Sequence, residues 1–149
     1  MIMKTILTTE QSRHLIDLRV SKEKASKVAW AQIRKFSGNE IPENEQRKGV
    51  SDKPFSAWHV GFESFSTDDI FALDDFLNGE ILPKEIEYDG YTYKLTMTCG
   101  NKCEVGYVTE KIYNLGTYIN KELIDALYEL TCWYYGEFMP KKMKNRKEI

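Results

Sequence analysis

The chain reads as an α+β protein: two N-terminal helices, a linker, a third helix, then an antiparallel meander of three to four strands covered by a C-terminal helix. Three observations predict this. Apolar and polar residues alternate on either side of Asp89-Gly90 and again across Gly100-Asn101-Lys102. An apolar stripe at helical spacing runs from Leu123 to Tyr134. Thr8-Thr9-Glu10-Gln11 matches a capping box, a signal that starts a helix.

In chain order, Thr8 caps a short first helix with Leu15, Ile16 and Leu18 inward. Ser21 caps a second, whose apolar face is Ala25, Val28, Ala29, Ile33 and Phe36. Residues 37–57 read as a long loop, because Gly38, Pro42, Gly49 and Pro54 sit among charges. Loops of that length in a compact domain are functional or disordered. Phe55 to Phe62 reads as a short strand or an ordered return to the core. Ser66-Thr67-Asp68-Asp69 then starts a third helix, with Ile70, Phe71, Leu73, Phe76 and Leu77 apolar, and Asn78-Gly79 ends it.

Asp-Gly between alternating runs favours a two-residue hairpin turn, which sets Tyr88 opposite Tyr91 and Ile86 opposite Tyr93. A three-residue turn at Gly100-Asn101-Lys102 sets Cys99 against Cys103, Met97 against Val105 and Leu95 against Tyr107. That register keeps apolar with apolar, and a slip of one residue would reverse every face. Met97 is therefore expected on the buried face and Thr96 on the exposed one. Lys111 to Asn114 suggests a short fourth strand broken by Gly116. Asn120 reads as the cap of the last helix, with Leu123, Leu127, Leu130 and Tyr134 inward, Gly136 as its stop and Pro140 forbidding continuation. Burying four such side chains contributes about 6–12 kcal/mol before conformational entropy is subtracted.

The length of 149 residues suits one domain, taken as residues 1–140 followed by a basic tail at 141–149. A net charge of −2 gives no global field toward nucleic acid or membrane. No apolar run spans a bilayer, and Met1 to Leu7 turns polar too soon for a signal peptide. Three cysteines, an odd number, fit a reducing cytoplasm and are expected to be reduced and metal-free.

No catalytic set, cofactor or metal site emerges from the spacing. Cys99 and Cys103 flank one turn, but a zinc site wants a second ligand pair. Asp68-Asp69 reads as charge at a helix N-terminus and Asp74-Asp75 as a solvated face. His14 reads as a surface or boundary residue. The candidate binding residues are Arg47, Lys48, Lys53, Trp58 and His59 at the end of the long loop. Trp58 offers a ring for stacking, His59 a titratable group, and the three cations charge for a phosphate or an acidic surface. Nine tyrosines and three tryptophans exceed what one small core readily hides, and Trp133, Tyr134, Tyr135 and Phe138 cannot share one face of a regular helix. A symmetric dimer is the expected consequence.

Several stretches carry a resemblance: Thr9-Glu10-Gln11-Ser12, Leu15 to Leu18, Phe71 to Leu77, Leu82 to Tyr93, and Leu123 to Leu130 before Trp133. In their order the chain resembles small uncharacterised proteins of phage and prophage origin. Arg19 stands where such proteins carry glycine. The resemblance implies a viral protein in a bacterial cytoplasm with a non-enzymatic role. Function is then expected to be binding of a host component, such as a counter-defence factor that sequesters a small nucleotide signal or inhibits a host protein. The alternatives are an accessory nucleic-acid-binding protein, through the Lys141 to Lys147 tail, and a small enzyme using His59.

Overall fold

Thr8 Oγ1 accepts from Gln11 N–H at 3.1 Å, and Gln11 Oε1 accepts from Thr8 N–H at 3.0 Å. This capping box starts α1 (Thr9–Asp17). The helix ends with Arg19 at φ 76°, while Arg19 N–H donates to Ile16 O and Val20 N–H to Leu15 O. That is the left-handed C-terminal motif in which glycine is usual. The computed structural model describes residues 3–34, 47–54, 62–110 and 114–142.

The expected second helix is not formed. Lys22–Lys24 make a single 3₁₀ turn, and β1 (Lys27–Arg34) follows as a strand. β1 is the centre of a three-stranded antiparallel sheet, between β2 (Arg47–Asp52) and β3 (Phe62–Ile70). Part of the expected loop is thus an edge strand, and Ser66 to Asp69 belongs to β3 rather than to a helix start. The apolar spacing of Ala25, Val28, Ala29 and Ile33 fits a helix. The same stretch also carries Val28, Trp30 and Gln32 at period two, and a short apolar run does not distinguish the two. Pairing on both edges of β1 decides it, because strand preference is set mainly by neighbours. Phe36 and residues 55–61 lie outside the described residues.

α2 is the short segment Leu73–Leu77. Asp75, expected on a solvated face, is only 4% exposed. Its Oδ2 accepts from Ala72 N–H at 2.8 Å, Ser26 N–H at 3.0 Å and Ser26 Oγ at 3.1 Å. Asp68 and Asp69 sit in β3, where they pair with Arg13 and Lys53.

β4 (Glu85–Tyr88), β5 (Tyr91–Cys99), β6 (Cys103–Val108) and β7 (Asn114–Asn120) form a four-stranded meander in sequence order. Tyr88 faces Tyr91, Ile86 faces Tyr93, Met97 faces Val105 and Cys99 faces Cys103, as the sequence predicts. Thr96 is exposed, but so is Met97 at 36%. The expectation that Met97 is buried fails because the covering helix packs on β6 and β7 rather than along β5, on which only Tyr93 is buried and Leu95 half-buried. The expectation of reduced cysteines also fails for two of the three. Cys99 and Cys103 are opposite each other with Cα atoms 4.1 Å apart and are joined as a disulfide, and Cys132 alone is free. Gly116 does not end the last strand but bulges inside β7 at φ 67°. Lys111 to Tyr113 lie outside the described residues.

α3 (Leu123–Trp133) covers the meander through Ile124, Leu127 and Leu130, all fully buried. Glu122 is its cap residue, and Asn120 Oδ1 accepts from Glu122 N–H at 3.2 Å. Gly136 is not a stop. Tyr134–Phe138 form a π turn, and the helix runs on to Lys142, past the expected boundary at 140. Residues 143–149 of the basic tail lie outside the described residues.

The π turn solves the aromatic crowding. Residues five apart lie about 140° apart around an α-helix, whereas a hydrogen bond from residue i+5 back to residue i brings them onto one face. Met139 N–H donates to Tyr134 O in this way. Trp133 and Phe138 thereby pack with centroids 5.2 Å apart, and Tyr134 stacks on Phe138 at 5.6 Å. Tyr107 and Tyr135 hydroxyls donate to Pro83 O and Ile81 O, both at 2.7 Å. These rings are accommodated within one chain, which removes much of the motive for a dimer.

Candidate functional site

The start of β1 and the end of β3 come together where Lys27 pairs with Ile70. Ser26 and Ala72 are held together there by the Asp75 carboxylate. On β1, Val28, Trp30 and Gln32 share one face by strand alternation. Opposite them stand Ser51 and Gly49 on β2, and Asp69, Ser66 and Ser64 on β3. A bulge at Thr67 keeps the faces in step after the register shift between Ala29 and Trp30.

Trp30 Nε1 donates to Ser51 Oγ at 2.8 Å, and the indole lies against Gly49. A Cβ at position 49 would come within 2.6 Å of the ring, so only glycine allows this approach. On this face of the sheet, an open groove of about 550 Å³ is lined by Val28, Lys53, Pro54, Asp69 and Ser66, the β3 partner of Trp30. Its size is within the range of small-molecule sites. Lys53 Nζ contacts Asp69 Oδ1 at 2.5 Å and donates to Lys22 O at 3.2 Å. The groove therefore presents an apolar floor, a hydroxyl and an ion pair with both charges part-exposed.

Of the residues singled out from sequence, Lys53 lines this groove. Arg47 opens β2 opposite Gln32, and its side chain lies outside the described part. Lys48 is exposed on the opposite face of the sheet, with Val50 and Asp52. Trp58 and His59 lie outside the described residues. The structure therefore does not bring Lys48 and Lys53 together. Sequence reasoning missed Val28, Trp30, Ser66 and Asp69, because it assigned them to helices. The alternation Val28-x-Trp30-x-Gln32 was the available signal.

Two other places hold groups with potential chemistry. The exposed face of the meander carries a groove of about 510 Å³ lined by Tyr91, Thr92, Lys94, Thr96, Val108 and Glu110 among others. Cys132 hydrogen-bonds Tyr128, whose ring meets His14 edge-on at 6.1 Å. Burial pushes the Cys132 thiol up, and burial followed by the Cys132 hydrogen bond pushes the Tyr128 phenol up to about 12. A thiol held protonated is a poor nucleophile and metal ligand. Among the described residues, no three His, Cys, Asp or Glu side chains converge as metal ligands. No helix among them is long and apolar enough to cross a membrane. The chain matches no protein-family model, and no curated protein or solved structure is similar to it.

Proposed function

We propose that the chain is a non-enzymatic binding protein that recognises its target through the three-stranded sheet of β1, β2 and β3. The observation that carries this reading is the groove on the Trp30 face of that sheet, where Val28 and Pro54 supply apolar contact and Ser66, Lys53 and Asp69 supply polar groups. Binding sites combine an apolar lining with a few convergent polar groups in this way. Placing the groove on an excursion from a packed body is the usual division between scaffold and recognition surface. The target is a small nucleotide or a surface of a host protein. The phage-type origin, the counter-defence role and the bacterial cytoplasm belong to the same proposal and rest on the sequence resemblance.

Native mass spectrometry of freshly purified protein, followed by calorimetric titration with mono- and cyclic dinucleotides, tests it. A retained or titratable nucleotide is expected. Lys53→Glu should weaken it roughly tenfold or more, as losing a charge-assisted hydrogen bond does. Binding that Lys53→Glu leaves unchanged overturns the groove assignment. A salt-dependent mobility shift with DNA or RNA, without any nucleotide or host-protein binding, replaces this reading with nucleic-acid binding. The same spectra read the oligomeric state.

A further inference from the structure

Cys99 and Cys103 staple the turn end of the β5–β6 hairpin across Gly100-Asn101-Lys102. Their two sides differ. Cys99 is exposed, whereas Cys103 is 8% exposed. The side open to an external thiolate is therefore that of Cys99.

The bond encloses a loop of only a few residues. In the chain-entropy account, a cross-link contributes less as its loop shortens. The hairpin has other supports: Lys94 to Thr98 pair with Val108 to Glu104, and Gly100 N–H donates to Lys102 O at 2.9 Å. The contiguous apolar cluster beneath includes Tyr93, Val105 and Tyr107, and Cys103, although buried, lies outside it. Opening the bond should thus leave the fold standing and loosen only what is tied to it. Cys103 is paired with Asn120, which accepts from Glu122 N–H at the start of α3, and Glu122 in turn accepts from Lys4 N–H at 3.1 Å.

We propose that Cys99 and Cys103 are a reversible thiol–disulfide site, with Cys99 as the exchanging sulfur and Cys103 as the resolving one. Its partner is the couple of a low-molecular-weight thiol and its disulfide, such as glutathione. In the reducing direction a thiolate attacks Cys99 Sγ, the S–S bond breaks, and Cys103 leaves as a thiolate that takes a proton from water. A second thiolate attacks the outer sulfur of the mixed disulfide and releases Cys99. Two thiols are oxidised to one disulfide as the protein gains two electrons and two protons. In the oxidising direction Cys99 attacks the small disulfide and Cys103 displaces the second thiolate. Such a site suits a reducing compartment, where it rests as a dithiol and closes under oxidation.

The test uses the full chain with Cys132→Ala, equilibrated in glutathione buffers of graded ratio, acid-quenched, alkylated and weighed intact. Two thiols should appear together along the series and disappear on reversal, while the thermal midpoint moves by only a few degrees. Hydrogen exchange should quicken at residues 100–102 and 120–123 in the reduced form and nowhere in the core. With one cysteine removed, Cys103→Ser should collect roughly tenfold more glutathione adduct, on Cys99, than Cys99→Ser collects on Cys103, because exchange follows access. A pair that stays oxidised or stays reduced at every ratio overturns the proposal. So does reduction that unfolds the chain, or equal adduct on both single variants. None of these outcomes depends on nucleotide binding, so this proposal and the groove stand or fall separately.

Discussion

Arg19 shows how one residue can hold a turn at a cost. It takes φ 76° after α1 so that Val20 N–H can reach Leu15 O, and Val20 and Leu15 both bury completely beside it. A side chain in the left-handed region costs about 1–2 kcal/mol relative to glycine, and part of that is returned because glycine has more freedom in the unfolded chain. Arg19→Gly should therefore raise stability by about 0.5–1 kcal/mol. A urea titration giving a lower midpoint for Arg19→Gly would show instead that the arginine side chain contributes more than its backbone costs. The same scale explains why the sequence does not reveal that Asp75 is buried. Its neighbour Asp74 is exposed, and nothing in Leu73-Asp74-Asp75-Phe76 separates the two carboxylates. Only the folded chain brings Ser26, distant in sequence, to Asp75 Oδ2.

At the scale of elements, legibility followed how local the deciding contacts are. The β4–β5 and β5–β6 hairpins were readable down to residue pairs, because a two- or three-residue turn and alternation determine them together. β1 was not readable, because its partners β2 and β3 lie beyond stretches of sequence that carry no pairing signal. For the site, Lys53 was legible as a loop cation, whereas Val28, Ser66 and Asp69 line the groove only once β1 and β3 pair. Gly116 is legible in the sequence as a strand breaker, whereas in the fold it is a bulge within β7. It bulges β7 over α3, with its Cα against the Trp133 ring, and an added Cβ would lie 2.6 Å from that ring. Gly116→Ala combines a positive φ with overpacking and should cost about 2–4 kcal/mol. Gly100→Ala, with nothing within 4 Å of the added carbon, should cost far less. Thermal unfolding of the two variants checks this, and equal losses would mean that β7 shifts freely away from Trp133.

The whole molecule consists of a packed body and an excursion from it. The contiguous apolar core draws on α1, residues 20–25, residues 71–82, the meander and α3, and includes no described residue between 27 and 70. The three-stranded sheet is tied to the body by Arg13 on Asp68, by Asp75 on Ser26, and by contact of α1 with β3. Arg13 is exposed although Asp68 is mostly covered, and solvent screens a pair of this kind. Regions with few core contacts open at lower free energy than the global transition. Amides of Val28 to Gln32 and Ser64 to Asp69 should therefore exchange faster than those of Val105 to Tyr107 and Leu127 to Leu130, although both sets lie in ladders or helices. Trp30 and Trp133 give an independent reading, since one lies in the excursion and the other at the end of α3. In a Trp58→Phe background, Trp133→Phe reports the sheet and Trp30→Phe reports the body. The Trp30 signal should change at lower urea than the Trp133 signal. Coincident midpoints with uniform exchange would show that the sheet is as firmly held as the meander. In that case binding at the groove could not be expected to order it, and nucleotide titration should then leave the exchange rates of residues 28–32 unchanged.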